Sequence, residues 1–157
     1  MLRRLSVSTI VGLLFFTALD SYAQDPLAEQ RIRGLKGLRS VALVVQRKDE
    51  LQIVNDKEVS DIIQVALSRD VRNLVVKDKA EEASDWLLLL YVVAKGGGYV
   101  RLSAQRRVTL YGTNTDLVAE TWHAERVMVG TVTALSFNET VRTLLTGFAA
   151  DYIRANQ

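Results

Sequence analysis

Three kinds of residue in this chain could in principle do chemistry: its histidine, its clustered carboxylates and its glycine run. His123 is the only histidine among the 157 residues, and there is no cysteine. Nucleophilic triads set a histidine between a nucleophile and an acid, and zinc sites draw on histidine and cysteine together. His123 stands instead between Trp122 and Ala124, in a stretch that alternates like a strand. A metal would have to be held by oxygen alone, and the chain has no Asp-x-Asp-x-Asp loop to hold one. No metal or cofactor is therefore expected. Gly96-Gly97-Gly98 would need a helix directly after it to cradle a phosphate on free N–H groups. An alternating stretch follows, so the glycines read as a hairpin turn. Glu81, Glu82 and Asp85 lie beside Lys77 and Lys79 in a charged connector, which reads as a solvated loop. With no catalytic motif in place, the chain reads as a non-enzyme.

The charged residues say more about surfaces. Formal net charge is +2. Without residues 1–23, which hold Arg3, Arg4 and Asp20, it falls to +1, and no basic stripe marks a nucleic-acid footprint. Arg101, Arg107 and Arg126 are the candidate anion-facing residues, on the wet side of two alternating strands. Arg106 is the exception on the apolar side. If paired residue numbers in the last hairpin sum to 226, Val108 faces Val118, Ala104 faces Trp122 and Leu102 faces Ala124. The same register sets Arg106 against Glu120 on the inner side and Arg101 against Glu125 on the outer. Opposite charges directly across contribute about 0.2–1 kcal/mol each.

The element that must position all of these is Trp86 to Ala94, an apolar run that does not alternate. It predicts a central strand covered on both faces. A second such strand spans Leu38 to Gln46. Between them, Val59, Ile62, Ile63, Ala66 and Leu67 fall at helical spacing in Asp56–Arg72, with Asn55 and Glu58 as a capping box. Leu74-Val75-Val76 is a short strand, Tyr99–Tyr111 and Leu117–Val129 alternate, and Ser136–Arg154 is a helix with Ser136 and Glu139 at its cap. Gly147 inside that helix predicts close packing on the sheet.

The order is β-α-β-β-β-β-α. A right-handed parallel crossover joins the first strands. The expected fold is α+β: a two-layer sandwich with a five-stranded mixed sheet in the order 2-1-3-4-5 and both long helices on one face. One side of the central strand then lacks a helix. Leu87, Leu89, Tyr91 and Val93, or their even-numbered neighbours, form the candidate partner-binding face, since an uncovered apolar patch is usually a contact surface.

The beginning of the chain has a different layout. Two arginines precede the apolar Leu5–Leu19, and Ser21-Tyr22-Ala23 supplies small residues before a cut after Ala23. This is the three-part pattern of a secretory signal peptide. Residues 1–23 are expected to be cleaved, 24–36 to form a flexible arm, and 37–157 to form one domain without an integral membrane span. A periplasmic location is expected, with secretion as the alternative.

Val41–Val45, the helix after it, the entry Ala83-Ser84-Asp85-Trp86-Leu87-Leu88-Leu89 and the exit Thr115-Asp116-Leu117-Val118-Ala119-Glu120-Thr121-Trp122 together resemble small α/β domains of bacterial envelope proteins. The resemblance is to the amino-terminal domain of TolB and to the CsgG family. Ser84 interrupts the first pattern, and no lipobox cysteine is present. The resemblance implies a non-enzymatic adaptor or assembly role and transfers no functional residue. The expected partner is an envelope protein or a second copy of the chain. The alternative is a carrier that holds a small apolar ligand or lipid in a groove between sheet and helices.

Overall fold

The computed structural model describes residues 26–77, 79, 82–83 and 85–157. The signal-peptide segment lies outside the described residues, as do Glu81 and Ser84. The elements are α1 (Pro26–Arg33), β1 (Ser40–Asp49), α2 (Asp56–Asp70), β2 (Val75–Lys77), β3 (Asp85–Ala94), β4 (Gly97–Thr109), β5 (Asp116–Val129) and α3 (Ala134–Ala155). The sheet order is β2-β1-β3-β4-β5, as expected, with the two strands that are apolar at most positions, β1 and β3, side by side. β1 runs parallel to β2 and β3, and the β3-β4-β5 meander is antiparallel. The two long helices and the mixed, open sheet make the expected α+β sandwich.

The helices form where apolar spacing and caps agree. α2 buries Val59, Ile63 and Leu67, and its N-cap Asn55 accepts from the backbone N–H of Lys57. Glu58 does not complete the box; its carboxylate accepts from the Asn138 side chain on α3. The box on α3 lies three residues before the expected one. Thr133 Oγ1 accepts from Ser136 N–H at 3.2 Å, and Ser136 Oγ accepts from Thr133 N–H at 3.0 Å. α3 buries Phe137, Val141, Leu144, Leu145, Phe148 and Tyr152. Edge-on ring contacts tie it to the sheet, Phe137 to Tyr91 at 4.9 Å and Phe148 to Trp122 at 5.1 Å.

Three expectations need correction. The residues around Arg31 are no loose arm: 26–33 are helical and docked. Leu35 and Leu38 anchor the segment in the core. Arg31 pairs with Asp151 at 3.3 Å, and that carboxylate also accepts from Trp122 Nε1. The Tyr152 hydroxyl donates to the Leu38 carbonyl, and Asn156 accepts from Gly37 N–H. Next, a Cβ on Gly147 would meet nothing within 4 Å, so no close approach requires glycine there.

The third correction concerns register. Gly97 through Ala104 pair with Val129 through Trp122 as expected, including Arg101 against Glu125. Then the register shifts. Ala104 faces Trp122 but Gln105 faces Glu120, leaving Thr121 as an extra residue in β5. Arg106 consequently faces Ala119, and Val108 faces Leu117. The bulge lies where the segment before β1 crosses β5: the Gly34 backbone packs so closely on Thr121 that any Cβ there would run into the Thr121 carbonyl oxygen.

A candidate binding face on the open side of the sheet

β3 does not alternate in sequence, yet its burial alternates strictly. Leu87, Leu89, Tyr91 and Val93 are each 0% exposed, and Trp86, Leu88, Leu90 and Val92 are partly exposed. The four residues named as the candidate face therefore point into the core, and the even-numbered neighbours point outward. Parity decides this. Arg47 and Tyr91 are paired, and the Tyr91 hydroxyl reaches Asp56 on α2 at 2.9 Å, which turns the odd residues toward the helices. Burial and the Asp56 carboxylate hold the Tyr91 phenol up at about 12.

The outward face is built in cross-strand rows. Ala42, Trp86, Gln105 and Glu120 form one; Val44, Leu88, Ser103 and His123 the next; Gln46, Leu90, Arg101 and Glu125 a third. Its centre is apolar, made by Val44, Leu88, Leu90 and Trp86. Its β5 side is a polar network. Arg101 pairs with Glu120 and, at 3.6 Å, with Glu125; Tyr99 donates to Glu125 at 2.6 Å. The bulge supplies this network, because it turns Glu120 from the inner face to the outer one. Arg106 stays inside and meets Asp85 at 3.3 Å, while donating to the Lys36 carbonyl.

The three candidate anion-facing arginines do not converge. Arg101 is neutralised by its two glutamates, and Arg126 faces Val100 on the helix side. Arg107 alone is available on the outer face, over the Trp86 ring at 5.7 Å. Sequence reasoning missed Arg39 and Asp116 and set Arg106 and Asp85 elsewhere, Arg106 against Glu120 and Asp85 in a solvated loop; all four line one cleft of about 440 Å³ with Arg107. No sequence spacing links these residues, since the end of the sheet gathers them from three strands and a loop.

His123 has Glu120 at its Nδ1, 3.0 Å away, and Ser103 directly across in β4. The residue types suggest a triad, but Ser103 is buried and no hydrogen bond joins it to His123 among the described residues. Two further clefts flank the helices. One of about 340 Å³ between α2 and α3 is walled by Glu58, Asp61, Arg69 and Arg142, and one of about 480 Å³ beside α1 by Arg31, Glu120 and His123. Charged walls in each do not suit a wholly apolar cargo. Among the described residues, no helix is long and apolar enough to cross a membrane.

No protein-family profile and no curated sequence matches the chain. Solved structures with a similar outline include the hypothetical protein CT253 from Chlamydia trachomatis, at 14% identity and TM-score 0.42 over 74% of this chain and 99% of that one. Another is the PelC dodecamer from Paraburkholderia phytofirmans, at 10% identity and TM-score 0.37 over 80% and 90%. A third is the rare lipoprotein B from Shewanella oneidensis, at 14% identity and TM-score 0.28 over 73% and 92%. None of these three is a TolB or CsgG domain.

Proposed function

We propose that this chain is an exported, non-enzymatic binding domain of the bacterial cell envelope, and that it holds a partner protein against the open face of its sheet. One observation carries the reading. Helices cover one side of β3, while Trp86, Leu88, Leu90 and Val92 on the other side are only partly covered. Apolar side chains gathered in a strip of this kind gain by being removed from water, at about 25 cal/mol per Å² buried. The export signal read from residues 1–23 supports the envelope setting, and the periplasm is the location that follows. The polar network of Arg101, Glu120 and Glu125 would form the rim of such a contact, where charges set orientation more than affinity.

The test is a photo-crosslinking amino acid placed at Leu88 or Leu90, with Val65 on α2 as an exposed control on the opposite side. In cells that make the protein, the sheet positions are expected to give a discrete adduct that Val65 does not. Equal adducts from both faces, or none from the sheet, would reject the open face as the contact surface.

A further inference from the structure

The open face does not end as it begins. Its apolar strip runs from Leu90 through Leu88 to Trp86, and there it meets the cleft that Arg39 and Arg107 share. The two carboxylates of that cleft are already engaged. Asp85 pairs with Arg106, and Asp116 accepts from the Thr109 hydroxyl at 2.7 Å. Arg39 and Arg107 have no carboxylate partner among the described residues; the contact of Arg107 is the Trp86 ring. Seven of the twelve described arginines are paired with an acid, Arg106 in this cleft among them, and Arg72, Arg126 and Arg142 are the other three that are not. Arg31, Arg33, Arg47, Arg69, Arg101 and Arg154 each touch an acid. The strip therefore carries uncommitted positive charge at one end, and that charge is forked guanidinium, which suits a carboxylate.

We propose that the occupant of the open face is an extended protein segment whose apolar side chains lie on Leu90, Leu88 and Trp86 and whose carboxylate enters the cleft between Arg39 and Arg107. This rests on the open-face reading above and adds the chemistry of the partner. The spacing is that of an extended chain. Leu90, Leu88 and Trp86 succeed one another every second residue, about 6–7 Å apart, the repeat of alternate side chains on a second extended segment. An anionic membrane surface fits less well. It would press on the whole face at once, including the Glu120 and Glu125 carboxylates of the β5 side, whereas a single segment follows the strip and leaves them in water.

The experiment uses the full chain and a fluorescein-labelled peptide, Asp-Thr-Val-Thr-Leu-Thr-Val, read by anisotropy. A control peptide carries Lys in place of Asp, and phosphatidylglycerol vesicles form the third arm. The Asp peptide is expected to bind at least about tenfold more tightly than the Lys peptide, a rim-charge effect of ordinary size. Arg107→Glu and Arg39→Glu, both at exposed positions, are expected to abolish that preference, and Leu90→Glu to weaken both peptides alike. Equal binding of the two peptides, both lost in Leu90→Glu, would overturn the carboxylate assignment and leave the open-face reading standing. If neither peptide binds, the extended-segment proposal falls, and the crosslinks at Leu88 and Leu90 alone decide the open-face reading. Vesicle binding that depends on Arg39 and Arg107, with no peptide preference, would replace the protein segment by a lipid headgroup.

Discussion

Gly34 and Gly147 look alike in the sequence and do opposite things. At Gly34 an added Cβ would strike backbone that cannot rotate away, so Gly34→Ala should cost about 2 kcal/mol or more and loosen α1 from β5. At Gly147 the added methyl meets open space in a helix interior, so Gly147→Ala should stabilise by about 0.5–1 kcal/mol. Urea unfolding of both variants reads the two signs directly. Tyr91 makes a second residue-scale prediction. Its folded pKa of about 12 lies above the ordinary phenol value of 10.0, so the folded chain holds that proton more tightly. The stabilisation is complete below pH 10 and is lost as pH rises toward 12, a drop of about 2–3 kcal/mol. Tyr99 and Tyr152 are also shifted upward and act in the same direction. The unfolding midpoint measured at pH 9 and pH 11 should therefore fall less in Tyr91→Phe than in the parent chain.

At the scale of elements, the bulge in β5 decides which charges meet. A continuous ladder would have set Arg106 against Glu120. The extra residue at Thr121 releases Glu120 to Arg101 and His123, and leaves Arg106 to the buried Asp85. A double-mutant cycle separates the two arrangements. Arg106→Ala and Asp85→Asn should couple by about 1–3 kcal/mol, as groups sharing one partly buried pair do. Arg106→Ala and Glu120→Gln should add within about 0.5 kcal/mol, because a sheet now lies between them. A large Arg106–Glu120 coupling would mean that the ladder is unbroken in solution. The docking of α1 belongs to this scale too. The bulge, Gly34, and the Arg31–Asp151–Trp122 chain of contacts form one continuous joint between the start of the chain, the edge strand and α3.

On the scale of the whole molecule, a two-layer architecture leaves one side of a five-stranded sheet without helices. Leu89 and Leu90 are neighbours in sequence but lie on opposite sides of that sheet. Leu89→Glu should bury an uncompensated charge and abolish cooperative unfolding, whereas Leu90→Glu should keep the fold with a loss of about 1 kcal/mol or less. Circular dichroism melts of the two variants check this. Light scattering over a dilution series then tests self-association. The edge strand β5 presents Glu125 and Arg126 in its middle and has the Gly34 segment pressed on it at Thr121, both ways of discouraging edge pairing. A monomer is the expected result. A dimer persisting on dilution would make a second copy the occupant of the open face.

Apolar spacing and turn residues in the sequence were enough to determine the five strands and two long helices and their order, though not the short helix α1, because a buried helical face and a buried strand each need their own period. Placing the two strands that are apolar on both faces side by side in the middle then made the sheet order legible as well. Tertiary structure alone decided which parity of β3 faces the helices, since Trp86 through Ala94 is apolar at almost every position and gives no alternation to read. It also decided the register beyond Ala104, because the extra residue Thr121 packs against a glycine distant along the chain, and no local pattern in β4 or β5 records that contact. The pairing of Arg39 with Arg107 follows the same logic. They lie far apart in sequence and line one cleft only because β3, between β1 and β4, brings the segment before β1 and the end of β4 to the same end of the sheet.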